Sequence, residues 1–171
     1  LVGEGYDLAV RVGTLPDSST LAARRLTTQR MVICAAPSYL AEHGKPASED
    51  ELSRHVGIVY GRSGRRVPWR IRNNAGHVFK PQVDARLVFD DLQAITDAAV
   101  AGAGLAWLPC WLMAKHMRTG ELELVMECDR MLATDIHAVW PQSHYLPIKT
   151  RTAIDALVAE IPGLVGGFEH A

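Results

Sequence analysis

Features that would announce a chemistry are scarce in this sequence. Its three cysteines, Cys34, Cys110 and Cys128, are an odd number without CxxC spacing, so the disulfide framework of a small secreted domain is excluded. A reducing, cytoplasmic setting is the simple expectation, with Cys34 in the apolar run MVICAA reading as a small buried hydrophobe. No apolar stretch approaches the roughly 20 residues of a membrane helix. The chain opens at Leu1 with neither an initiator methionine nor a signal-peptide pattern, so a processed chain or a fragment is expected. Net charge is only −1, which leaves no global attraction to nucleic acid or to anionic membrane. With 48% hydrophobic and 22% charged residues, the 171-residue chain has the makings of one core, or of two small lobes.

Intact catalytic and metal motifs are missing as well. GRSGR at 61–65 approaches the nucleophile elbow G-x-S-x-G, but Arg65 stands where the second glycine is required. A serine in a polar turn is the better reading. The histidines are scattered. Cys110 and His116 are six residues apart, on opposite sides of a helix, and His137 and His144 flank a loop without further ligands at metal spacing. No metal site follows, and no cofactor is implied.

What is present first suggests a nucleotide. Gly102 and Gly104 in AAVAGAGLAWLP form Gly-x-Gly, yet a dinucleotide fingerprint runs strand, glycines, helix. Here a helical periodicity (Leu92, Ile95, Ala99) precedes the glycines and a short strand follows them. They are therefore expected to close a helix in the left-handed conformation.

Along the rest of the chain, YDLAVRV predicts a strand, and LAARRL with QRMVICAA a strand pair or one long bent strand. Pro37 opens a short helix closed near Gly44, and Ser48 with Glu51 has capping-box spacing for another. The pattern turns to β over 55–88, with VGIVY, VPWRIR, HVFK and DARLVF. Helices at 91–101 and 110–118, strands ELELVM and IHAVW, and a last helix ended by Pro162 complete it. GLVGGFEHA predicts a loose tail. Mixed elements without repeats indicate α/β architecture, and any two lobes must share strands.

Two charged clusters stand out. Arg62, Arg65, Arg66, Arg70 and Arg72 surround Trp69. A phosphate-contacting strip with a stacking ring is one reading. A solvated loop running into an edge strand with outward arginines is the preferred one. Asp90 and Asp91 resemble an acid pair, but Asp90 followed by Gln93 has the spacing of a capping box.

The run GYDLAVRVGTLPDSSTLAARRL, then QRMVICAAPSYLAEHGKP, ELSRH, a tryptophan-bearing hairpin, VFDDLQAITDAAVAGAGLAWLP and IHAVWPQSHYLPIKTRTAIDAL resembles the effector-binding domain of LysR-type transcriptional regulators. The segments cover roughly residues 5–161, and their order makes the match specific. The resemblance implies two α/β lobes of the type 2 periplasmic-binding-protein kind joined by two crossing strands. The first lobe would be 1–36 with 137–171, and the second 37–136. It further implies a small-molecule inducer in the cleft, lined by Gly13 and Thr14, Ala35 and Ala36, and Phe89, Asp90 and Asp91. Pairing into a homodimer or tetramer is implied for the full-length bacterial regulator, with DNA read only by an N-terminal winged-helix head. That head, its linker helix and the first strand–helix pair of lobe one have no counterpart here, so lobe one is expected to be incomplete. Ala36 replaces the serine often found before the proline, removing a hydroxyl from the implied pocket. Two aspartates at the helix entrance, with Asp90 using the free N–H groups, favour a neutral or cationic effector unless Arg11 or Arg86 intervenes.

Two alternatives share the implied fold. A transporter's solute-binding protein would carry an export signal. An enzyme such as prephenate dehydratase would carry Thr-Arg-Phe, where this chain offers only Thr150-Arg151-Thr152.

Overall fold

The computed structural model describes residues 5–73, 76–126, 132–143 and 145–166. In chain order the strands and helices are β1 (Ala9–Val12), β2 (Leu21–Ala35), α1 (Pro37–His43), β3 (Val56–Arg62), β4 (Arg65–Arg66), β5 (Ile71–Arg72), β6 (Val78–Phe79), β7 (Asp84–Phe89), α2 (Leu92–Val100), β8 (Leu105–Pro109), α3 (Cys110–Arg118), β9 (Glu123–Leu124), β10 (Leu132–Pro141) and α4 (Ile148–Val165). They form two compact units, one of residues 1–29 with 133–171 and one of residues 30–132. β2, a single strand of 15 residues, contributes to both. Residues 30–36 thus fall in the second unit and 133–136 in the first, unlike the bounds expected above. The reason is packing: Ile33 and Ala35 share a core with Val59 and Leu105 of the second unit.

In the first unit β1 pairs antiparallel with β10, from Ala9↔Val139 to Val12↔Ile136. Among the described residues β1 has no partner on its other side, and Val10 and Val12 are exposed there. The core is Leu26, Ile136 and Ala138, covered by Leu157, Val158, Ile161 and Val165 of α4. That burial explains one departure from expectation. Pro162 removes an N–H and was expected to end the last helix, yet α4 continues to Val165. Ile161 and Val165 lie on either side of the proline and both pack on the sheet, so tertiary burial outweighs the lost bond. Of the expected tail, Gly163 to Val165 are helical, and residues 167–171 lie outside the described residues.

In the second unit β3 and β8 are parallel (Gly57↔Leu105), as are β3 and β7 (Tyr60↔Phe89), while β2 runs antiparallel to β8 (Cys34↔Ala106). Alternation along these strands sends Ile33, Ala35, Val59 and Leu105 to one face, where Leu40, Leu52, Trp69 and Ile71 cover them. α2 packs against β3 and β8, and α3 against β8. The box expected at Ser48 does not form. Residues Asp50–Arg54 make a 3-10 turn with Glu49 at its N-cap, and the Glu51 carboxylate instead accepts from Ala47 N at 2.8 Å. Leu52, fully buried, fixes the turn from inside.

Candidate functional site

The carboxyl ends of parallel strands are where α/β sheets offer ligands unpaired backbone groups and helix starts. In the second unit that end of the sheet holds Tyr60 and Gly61 of β3, Phe89 of β7 and Pro109 of β8, with α2 and α3 beginning beside it. Phe89 is half-buried, and Asp90 and Asp91 are exposed. The three expected residues of this segment are thus brought to one place.

Ala35 and Ala36 are not. The register pairs Cys34 with Ala106 and Ala35 with Glu123, at the end of the sheet where β3 and β8 begin. Both alanines are fully enclosed, and Ala36 is spent as the N-cap of α1. The strand enters this unit near Arg30 and runs away from the Phe89 end, so local sequence gave no sign of the separation.

The helix cap also differs from expectation. Asp91, not Asp90, is the N-cap of α2: its Oδ2 accepts from Ala94 N at 3.0 Å. Gln93 does not return to close a box but donates to Asp97 Oδ1 at 2.8 Å, one turn along the helix. The shift by one residue arises because Asp91 has extended dihedrals (φ −127, ψ 130), the geometry that turns a side chain back over the helix start. Replacing Asp91 by Ala is expected to destabilise the protein by about 1 kcal/mol, and Asp90→Ala by much less. Urea midpoints of the two variants check the assignment, and equal losses would contradict it.

In the first unit Gly13 ends β1 with φ +105, and its N–H donates to Asp135 O at 2.9 Å; Thr14 beyond it is exposed. Asp135 is a hub that sequence reading missed. Its Oδ1 accepts from Arg25 Nε at 2.7 Å and from Thr28 Oγ1 at 2.8 Å, and Arg25 also meets the Thr28 hydroxyl. The Thr28 bond and then the Arg25 bond hold the Asp135 carboxyl below the usual carboxylate range. The three residues lie more than 100 positions apart in part, so no local pattern could have exposed them. Of the two arginines expected to assist a carboxylate ligand, Arg86 is engaged by Asp84 at 2.6 Å. Arg11 stands opposite His137 in the strand register.

Other candidates resolve without chemistry. Ser63 is an exposed residue of a β-turn between β3 and β4, not of a strand-to-helix elbow. Trp69 is buried in the core, so the stacking ring proposed for the arginine cluster does not exist, while the arginines themselves point outward. His116 pairs with Glu121 at 2.8 Å, and among the described residues no three metal-ligating side chains converge. Cys34 and Cys110 are buried free thiols, with burial pushing Cys34 up to about 12. Cys128 and His144 lie outside the described residues.

Comparison with known proteins agrees with this architecture. Residues 1–162 match the LysR substrate binding domain. The chain belongs to that family. The LysR-type domain is 32% identical over 158 residues to the HTH-type transcriptional activator AaeR of Escherichia coli, covering 92% of this chain and 50% of that protein. It is 32% identical over 149 residues to an uncharacterized HTH-type transcriptional regulator of Haemophilus influenzae, covering 87% and 51%. The chain therefore spans about half the length of the curated relatives it matches. Among solved structures, the regulatory domain of CrgA, a LysR-type regulator from Neisseria meningitidis, superposes with a TM-score of 0.79 at 25% identity, covering 94% of this chain and 78% of that one. Full-length AphB of Vibrio cholerae gives 0.73 at 25%, covering 90% and 51%. The LysR-type domain thus has the periplasmic-binding-protein-like fold of such regulatory domains. No helix among its described residues is long and apolar enough to cross a membrane.

Proposed function

We propose that this LysR-type domain senses a small-molecule effector for a cytoplasmic, dimeric bacterial transcription factor and has no catalytic role of its own. The family match over nearly the whole chain carries the reading. A solute-binding protein is the weaker alternative, because the matched relatives are named as transcriptional regulators. Phe89, Asp90 and Asp91 of the second unit are proposed as effector contacts. Ala35 and Ala36 are left out, for the position and burial described above.

The proposed effector is neutral or cationic, with an apolar part against Phe89. Helix N-termini attract anions, but the Asp91 side chain already takes one of α2's free donors. Asp90 adds a second carboxylate at the same entrance, and Arg86 is occupied by Asp84. A carboxylate ligand there meets like charge on arrival. A thermal-shift screen is expected to find neutral or cationic ligands that raise the melting temperature, and Phe89→Ala is expected to abolish at least nine-tenths of their affinity. Stabilisation by simple carboxylates alone would refute the charge argument. Affinities unchanged in Phe89→Ala would displace the site.

A further inference from the structure

Between residues 52 and 83 the chain carries seven lysines and arginines and no aspartate or glutamate. The remainder accordingly stands at −8, so a nearly neutral chain is sharply divided in charge. Five of these cations, Arg62, Arg65, Arg66, Arg70 and Arg72, are exposed and form no ion pair with an acidic side chain among the described residues.

Their backbone is held. Ser63 (φ 52) and Gly64 (φ 76) form a two-residue primed turn that sets Arg62 directly opposite Arg65 and Gly61 opposite Arg66. Beyond it, buried Trp69 and Ile71 alternate with Arg70 and Arg72, so packing of the first pair directs the second outward. The Trp69 ring reaches the start of β3, where a Cβ on Gly57 would stand 3.7 Å from it. The cations are thus spread along the length of β3, a span of roughly 16 Å between Gly57 and Arg62 at the usual strand rise.

Arginine facing arginine across a hairpin weakens the hairpin. An edge that needed only solubility would be served by mixed signs. A point anion would use two or three convergent arginines. A single-sign line of this length is matched instead to a row of phosphates, which each strand of duplex DNA presents at one per about 3.4 Å of helix axis. We propose that the arginine ribbon of residues 61–72 is a sequence-independent contact surface for the phosphate backbone of duplex DNA. It supplements the operator reading done by the N-terminal head of a full-length regulator, and it rests on the reading of the chain as part of such a protein.

The test is fluorescence anisotropy of the 171-residue chain with a labelled random-sequence duplex at low and near-physiological salt. With three to five phosphates neutralised, log K is expected to fall against log salt with a slope of about −2.7 to −4.5. Arg65→Gln with Arg66→Gln and Arg70→Gln is expected to lower low-salt affinity at least about tenfold and to flatten the slope by about 2.7. The same three positions changed to Lys should retain most of the binding. Lys45→Gln with Arg118→Gln, both exposed and elsewhere on the unit, should change nothing, and melting curves confirm that every variant folds. Wild-type binding by the glutamine variant overturns the proposal. So does displacement of the duplex by poly-glutamate at equal charge, which marks an acidic protein as the partner. A clear preference for one operator sequence overturns it too. No effector enters this assay, so its failure is distinct from failure of the thermal-shift screen.

Discussion

Gly104→Ala is expected to destabilise the protein by about 3 kcal/mol or more, the largest effect of any single methyl group considered. α2 ends in a Schellman arrangement: Ala103 N donates to Ala98 O at 3.0 Å and Gly102 N to Ala99 O at 3.0 Å, with Gly102 at φ +77. The chain then drops at once into β8, whose first residue pairs with Gly57 of β3. Gly104 is pressed against the preceding residue of that strand. A Cβ there would stand 2.5 Å from Val56 O and 3.2 Å from its carbonyl carbon, both backbone atoms of a paired strand that cannot yield. Gly102 differs: its Cβ would meet only the Ser38 hydroxyl, at 3.1 Å, which can rotate away. Gly102→Ala should therefore cost only about 1 kcal/mol, for the left-handed backbone. Urea midpoints of the two variants are the comparison. Equal losses would show that the contact with β3 is not what selects Gly104.

Tyr39→Phe is expected to cost roughly 2–4 kcal/mol, since it strands the buried His55 ring nitrogen and the part-buried Val56 N–H at once. The buried Tyr39 hydroxyl accepts from Val56 N at 3.1 Å and lies 3.2 Å from Nδ1 of buried His55. With one lone pair of its oxygen taken by the Val56 N–H, the hydroxyl keeps its own proton to donate to Nδ1 of neutral His55. Burial lowers the His55 pKa, His43 nearby lowers it further, and Glu51 opposes both. The His43 ring itself stacks on Tyr39 at 4.3 Å. The linkage has a definite sign. Unfolded chains bind a proton at the ordinary histidine value near 6.5, whereas the folded chain resists it to lower pH. This contribution is fully present above that value and is lost as pH falls below it, by at most about 1.4 kcal/mol per pH unit. Urea melts between about pH 8 and pH 5.5 should show it in the wild type, and His55→Gln should lose this component. An unchanged acid limb in His55→Gln would place the sensitivity elsewhere.

What the sequence determined by itself was element type and order. Periodicity located α2, β-forming runs between breaks located β3 and β7, and the position of Gly102 after a helical repeat identified a helix end rather than a phosphate loop. These signals are local, written in residues within one or two turns of each other. Resemblance over the full length added the family, which no single motif could. The tertiary structure decided whatever depended on register and burial. Pro162 stays inside α4 because residues on both sides of it are buried, and Asp91 rather than Asp90 caps α2 because of one backbone angle. Trp69 turns inward while its arginine neighbours turn outward. Ala35 and Phe89 read as parts of one pocket, yet strand direction puts them at opposite ends of one sheet. Strand pairing joins residues far apart in the chain, and a one-residue change in register or cap moves a side chain to another face. The Arg25–Thr28–Asp135 hub exists only because two distant strands lie side by side.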